Sequence, residues 1–199
     1  MKNKSFLVFV ASGIIFSCMI LLLEFDYTNF IDIYSKNIQN FFSADIFKSL
    51  FLFITNIMSI FGILAIMVLS IYLLRKSNAQ KAINLYIISI FACLIITNII
   101  KIIIRRNRPV DKLLEIGGFS FPSSHASVSM LVYGYIILLI RKYYHGKWKN
   151  LYIFLFVTLI LLTGISRIYF NVHYITDVLA GYSIGLIILC FSNYYLKKI

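Results

Sequence analysis

Long apolar runs separated by short polar, mostly basic stretches dominate the chain. A helix rising about 1.5 Å per residue needs about 20 apolar residues to cross about 30 Å of hydrocarbon. Six segments reach roughly that length, at about 6–23, 50–74, 82–104, 124–140, 151–167 and 176–195, and each predicts a membrane-spanning helix. Residues 26–48 instead alternate Phe, Ile and Tyr with Asp, Asn and Lys, the pattern of one or two amphipathic helices lying in the membrane interface. No internal repeat or low-complexity linker interrupts the pattern. The expected architecture is all-α: a six-helix membrane bundle with short interfacial helices between spans one and two, forming a single domain over residues 1–199.

Composition agrees, with 61% hydrophobic and 13% charged residues, against about 45–50% and about 25% in soluble domains. The net charge of +12 does not point to nucleic acid, because the basic residues sit in short loops between apolar runs. The basic start (Lys2, Lys4) resembles a signal peptide. However, the apolar run Phe6–Leu23 is 18 residues long and no small-x-small cleavage site follows, which favours a retained first span. Cys18, Cys93 and Cys190 lie in apolar runs without metal-ligand spacing and read as small core residues. With six spans, one side of the membrane holds 11 of the 19 Lys and Arg residues and no acid: both termini and the 75–81 and 141–149 loops. That side is expected to be cytoplasmic, which puts the 24–49, 105–123 and 168–175 connections on the outer face.

Three polar clusters remain near that outer face, and ionisable groups at membrane depth mark functional sites by default. In the first, Lys101 and Arg108 are seven apart, on nearly one helix face, and Pro109 predicts that the helix stops at about Arg108. Two cations at a helix mouth grip a phosphate, or simply flank the bilayer. In the second, Phe121-Pro122-Ser123-Ser124-His125 opens the fourth span, where the backbone N–H groups of Ser123, Ser124 and His125, with the serine hydroxyls, cradle an anion beside the His125 ring. The plain alternative is a cap with an interfacial histidine. In the third, Ser166-Arg167 precedes His173 and Asp177, which are four apart on one helix face. A carboxylate there holds one imidazole nitrogen and leaves the other as nucleophile, while Arg167 offers a bidentate phosphate grip. An interfacial histidine with a helix-start aspartate is the competing reading. Arg167 and His173 do not share a face of one straight helix, so a turn is expected near Asn171.

Together the clusters are far more specific than any one of them. Three cations, two histidines and a carboxylate at the outward ends of different spans suit a phosphate dianion and its transfer.

These residues resemble the type-2 phosphatidic acid phosphatase (PAP2) superfamily, which also includes vanadium haloperoxidases. The family pattern K-x6-R-P is met by Lys101, Arg108 and Pro109, and S-R-x5-H-x3-D by Ser166, Arg167, His173 and Asp177. In P-S-G-H, Ser124 replaces the glycine while Pro122, Ser123 and His125 match. The resemblance implies that His173 attacks phosphorus, Asp177 orients it and His125 protonates the leaving oxygen and then activates water. Lys101, Arg108, Arg167 and the 123–124 backbone would hold the phosphoryl oxygens. It implies no metal or other cofactor, and the sequence has no acidic cluster suited to Mg²⁺. The expected substrate is a lipid phosphate met in a bacterial cell membrane, with undecaprenyl diphosphate, phosphatidylglycerophosphate and phosphatidic acid as candidates.

A soluble haloperoxidase does not fit a chain filled by six spans. A transporter would place charges near the bilayer midplane or carry broken-helix repeats. A lipid phosphotransferase using the same phosphohistidine is the nearer alternative. The 110–121 loop, with Gly117 and Gly118, is placed to cover the site, and Arg105 and Arg106 to hold a second phosphate or lipid headgroups.

Overall fold

The computed structural model describes residues 2–76 and 80–198, and every regular element among them is a helix. Met1, Ile199 and residues 77–79 of the expected 75–81 loop lie outside the described residues. In chain order the helices are α1 (Lys2–Glu24), α2 (Asn29–Asp32), α3 (Ser35–Phe41), α4 (Asp45–Ile57), α5 (Ile60–Lys76), α6 (Gln80–Ile104), α7 (Ser124–Tyr143), α8 (Lys149–Tyr169) and α9 (Ile175–Leu196). Five of them, α1, α6, α7, α8 and α9, are each long and apolar enough to cross a membrane. The short α2 and α3 occupy the stretch expected to be interfacial.

The second expected span, 50–74, differs. It is broken into α4 and α5, which meet at 57°. The apolar count hides the cause. Ser59 donates its N–H to the Asn56 carbonyl, and its hydroxyl accepts from Gly62 N, so a fresh helix start is built inside the run. Gly62 lies so close to the Ile57 carbonyl that any side chain there would collide with it. The 13 residues of α4 rise only about 20 Å, too little to cross the bilayer alone. Only the bent pair together counts as a sixth span.

The site-bearing helix α7 is, after α9, the most enclosed. It packs against α6, α8 and α9, while α1 covers α9 and α5 touches mainly α6 and α4. Its contact with α9 uses two glycines one turn apart. A Cβ on Gly181 would fall 2.5 Å from the Ser123 carbonyl, and one on Gly185 2.5 Å from that of Ser127. Such small-residue contacts let helices approach closely where lipid removes the hydrophobic drive to associate. Large apolar side chains point outward instead, including Phe6 and Ile14 of α1, Ile88 and Ile95 of α6 and Phe154 and Leu161 of α8.

The two ends of the bundle have different chemistry. At one, Lys142 Nζ donates to the Leu196 carbonyl and Asn193 Nδ2 to Ser5 Oγ, which brings the chain ends and the 144–148 connection together. At the other, the connections 25–44, 105–123 and 170–174 converge, and buried ion pairs tie the first two to each other and to the head of α9.

Candidate active site

A different local device delivers each motif to that second end. Helix α6 stops at Ile104 because Arg105 turns left-handed (φ 52°) and donates its N–H to the Lys101 carbonyl at 3.0 Å. The expected helix through Arg108, with Lys101 and Arg108 on one face, is therefore not formed. Arg108 arrives on the 105–123 loop, and Lys101 keeps the last turn. The two cations still meet the same region. Lys101 Nζ donates to the carbonyls of Phe119 (3.0 Å) and Ser120 (3.3 Å), and Arg108 Nε to those of Gly117 (3.2 Å) and Gly118 (3.0 Å).

Helix α7 begins at Ser124, with Ser123 as its N-cap. The Ser123 hydroxyl accepts from Ala126 N, and its N–H donates to the Asp177 carbonyl at 3.0 Å. Ser123 therefore spends its N–H on tying α7 to α9, while its hydroxyl oxygen caps the helix and keeps its own proton to donate. The first-turn N–H groups of Ser124 and His125 have no intrahelical partner and remain suited to an anion. Ser124 has an ordinary right-handed backbone, so nothing at this position demands glycine. The His125 side chain makes no hydrogen bond to a described residue, and Arg167, His173, Arg108 and Lys101 all lie close enough to act on it electrostatically.

The turn expected near Asn171 is present. Helix α8 ends in a Schellman motif: Asn171 is left-handed (φ 51°), its N–H meets the Ile168 carbonyl at 2.9 Å, and Val172 N meets that of Arg167 at 3.2 Å. Asn171 Nδ2 also donates to the Asp111 carbonyl and Leu113 N to that of Phe170, which fastens the 105–123 loop to this turn. The chain reverses there and sets His173 just ahead of α9.

His173 is only 3% exposed. Its Nε2 lies 3.2 Å from Arg108 Nη1. A guanidinium only donates, so Nε2 accepts, and the ring proton of the neutral imidazole sits on Nδ1. Nδ1 faces Asp177 Oδ2 at 3.4 Å, within ion-pair reach but without the geometry of a good hydrogen bond. Asp177 Oδ2 also accepts from Tyr174 N at 3.0 Å, which holds the carboxylate at the head of α9. Burial pushes the His173 imidazole down to about 4, with Asp177 opposing the shift. At neutral pH the ring is uncharged, and its Nε2 carries an unprotonated lone pair that Arg108 Nη1 shares at rest.

Three cations surround this ring, and none has a carboxylate within 4.0 Å among the described residues. Arg167 is 2% exposed, its Nε has no partner among the described residues, and its Nη1 donates to Thr55 Oγ1 at 2.6 Å. A buried guanidinium normally requires an anion. Burial also lowers the Arg108 pKa, against the pull of Asp177.

Sequence reasoning missed two groups, Thr55 and Asp32, and gave a third, Arg106, another role. Thr55, one hydroxyl in an apolar run, holds Arg167. Arg106 does not stand free for a second phosphate: Nη1 binds Asp177 Oδ1 and Nη2 binds Asp32 Oδ2, each at 2.6 Å. Burial works against this guanidinium, but the two carboxylates outweigh it and raise its pKa above the ordinary arginine value. Asp32, from the interfacial stretch, is itself buried. Its only sequence signal is an acid on the amphipathic pattern. Arg105 stays outside the cluster, with its Nε on the Ile102 carbonyl.

Comparison with known proteins fits this arrangement. Phosphatidylglycerophosphatase B of Bacillus subtilis (strain 168) is 33% identical over 108 residues, which make up 53% of this chain and 53% of that one. The matched segment thus spans about half the length of that relative. The crystal structure of a transmembrane PAP2-type phosphatidylglycerolphosphate phosphatase from Bacillus subtilis has the same fold, with a TM-score of 0.80 and 24% identity over 94% of this chain and 96% of that one. The likeness makes the apolar helices those of a multi-pass membrane protein. The model of the PAP2 superfamily matches residues 82–199, the stretch from α6 onward that carries all three motifs, and the chain belongs to that superfamily.

Proposed function

We propose that this protein hydrolyses the phosphomonoester or diphosphate of a membrane lipid through a phosphohistidine formed on Nε2 of His173. The observation that carries the reading is Arg167, a buried guanidinium with an unpartnered Nε, set with Lys101 and Arg108 around an imidazole whose Nε2 is unprotonated. Three positive charges match the charge spread over the equatorial oxygens in phosphoryl transfer, and they act most strongly where water is excluded.

In the first step the Nε2 lone pair attacks phosphorus, the bond to the leaving oxygen breaks, and His125 supplies the proton that oxygen needs. Positive charge then spreads over the His173 ring and is met by Asp177 at Nδ1. In the second step water attacks phosphorus, the P–N bond breaks, and His125 takes the water proton, which restores both histidines and frees phosphate. The N–H groups of Ser124 and His125 join the three cations in holding the oxygens. The name of the Bacillus subtilis relative supports phosphatidylglycerophosphate as the leading substrate, ahead of undecaprenyl diphosphate and phosphatidic acid. We further infer that both termini are cytoplasmic and the site lies at the outer face, from the excess of Lys and Arg at the termini end.

The test is phosphate release by purified protein from each of the three lipids, with EDTA present. Wild type is expected to release phosphate from at least one, and to form an acid-labile, base-stable phosphoprotein that His173→Ala does not form. His173→Ala should lower turnover by about three decades or more, by analogy with nucleophile removal elsewhere. Substantial activity in that variant would overturn the mechanism, as would loss of wild-type activity in EDTA. Transfer of the phosphoryl group to an added alcohol in place of free phosphate would identify a phosphotransferase.

A further inference from the structure

From Asp177 a buried ionic relay extends beyond the three motifs, through residues that the proposed mechanism does not use. Arg106 bridges two carboxylates. Nη1 meets Asp177 Oδ1 and Nη2 meets Asp32 Oδ2, both at 2.6 Å. The Arg106 side chain is 12% exposed, Asp32 4% and Asp177 not at all. Each terminal nitrogen of the guanidinium has a second partner. Nη1 also reaches Thr176 Oγ1 at 2.8 Å, and Nη2 reaches Thr28 Oγ1 at 3.2 Å. Asp32 Oδ1 accepts from Thr176 N at 3.1 Å, and the Thr176 hydroxyl lies about equally close to both Asp32 oxygens. The guanidinium stacks 4.0 Å from the Tyr174 ring centroid.

We propose that Arg106 and Asp32 are positioning residues that act through Asp177. They fix its carboxylate in the plane that faces His173 Nδ1, and they keep its charge available to that ring. The inference rests on His173 being the nucleophile.

Geometry supports the first half. Asp177 has two oxygens. Tyr174 N holds Oδ2 beside His173, and Arg106 pins Oδ1 on the far side, so the carboxylate cannot rotate away. Charge supports the second half. A guanidinium paired with Asp177 alone would neutralise it and weaken its hold on a ring turning positive. Asp32 shares the guanidinium, so the three groups together carry a net charge of minus one, which remains for the imidazolium. An aspartate from the interfacial segment thereby becomes part of the catalytic machinery, and the docking of α2 is coupled to chemistry 145 residues along the chain, at Asp177.

The experiment is a double-mutant cycle between Arg106→Gln and Asp177→Asn. It is read as the single-turnover rate of phosphoprotein formation at high enzyme concentration, alongside steady-state kcat and KM. Arg106→Gln and Asp32→Asn should each lower kcat by roughly 10- to 100-fold, the range of coupling between hydrogen-bonded neighbours, with KM little changed. Arg106→Gln should cause almost no further loss in the Asp177→Asn background. Arg106→Lys, a point charge unable to bridge two carboxylates, should fall between wild type and Arg106→Gln. If Arg106→Gln fails to fold, Asp32→Asn and Arg106→Lys carry the test, each combined with Asp177→Asn. Losses that multiply in the double variant, or full activity in Asp32→Asn and Arg106→Lys, overturn the proposal. Activity retained in His173→Ala or Asp177→Asn would instead overturn the reading it rests on.

Discussion

Thr55→Val removes one oxygen from α4 and leaves the shape of the side chain nearly intact. Thr55 Oγ1 accepts from Arg167 Nη1 at 2.6 Å, and both residues are buried. With Nε already without a partner, the guanidinium loses its only hydrogen bond among the described residues. A hydrogen bond to a charged group contributes about 1.5–3 kcal/mol. If Arg167 stays in place, that loss appears as lower stability. If it swings away from phosphorus, the same energy appears in kcat/KM as roughly a 10- to 150-fold fall. The assay is phosphate release from the preferred lipid, with inhibition by orthovanadate, a phosphate mimic, measured in parallel. Thr55→Val is expected to lose at least about tenfold in kcat/KM and to bind vanadate more weakly, while Thr55→Ser stays near wild type. A Val variant with wild-type kinetics and vanadate inhibition would refute the reasoning, as would a Ser variant as impaired as the Val one.

Gly181→Ala drives a methyl group to 2.5 Å from the Ser123 carbonyl. The backbone on one side and α9 on the other cannot both yield, so activity should collapse and the melting temperature should drop, as read by thermal unfolding in detergent. His173 sets a pH dependence of stability, because its folded value of about 4 lies below the ordinary 6.5. Between those values the unfolded chain binds the proton and the folded one does not, so stability falls as pH drops from about 6.5 to about 4, by about 3 kcal/mol in total from this group. His173→Gln should remove that component of the slope, and an unchanged slope would count against it. Glu115 is exposed on the 105–123 loop. A cysteine placed there should react with a membrane-impermeant thiol reagent in intact cells, and protection would reverse the proposed orientation.

Much of this fold is local and therefore legible. Hydropathy marks α1 and α6 to α9 because each is a single uninterrupted run, and the His173–Asp177 spacing still brings the two side chains together, although His173 lies just ahead of α9 and not on a helix face as expected. The break in the second span escaped because Ser59 and Gly62 change the average apolarity of 50–74 very little, although they decide where helix hydrogen bonds stop. The stop of α6 escaped because Arg105, not a glycine, takes the left-handed turn, while Pro109 drew attention four residues too late. Thr55 and Asp32 could not be found from spacing at all. Their partners Arg167 and Arg106 lie 112 and 74 residues away. Arg106 was hidden differently: in sequence it is one of several flanking basic residues, and only burial between two carboxylates separates it from Arg105.

The resting contacts of Lys101 and Arg108 have a further consequence. Both cations are held by backbone carbonyls of residues 117–120, neutral oxygens that stand in for the charged ones of a phosphoryl group. An incoming anion must win its ligands from that loop, so the affinity measured for it is a difference between two sets of oxygens. Inorganic phosphate, which brings no tail to offset the exchange, should then leave readily, and the loop that loses its tethers becomes the part of the protein that reports occupancy.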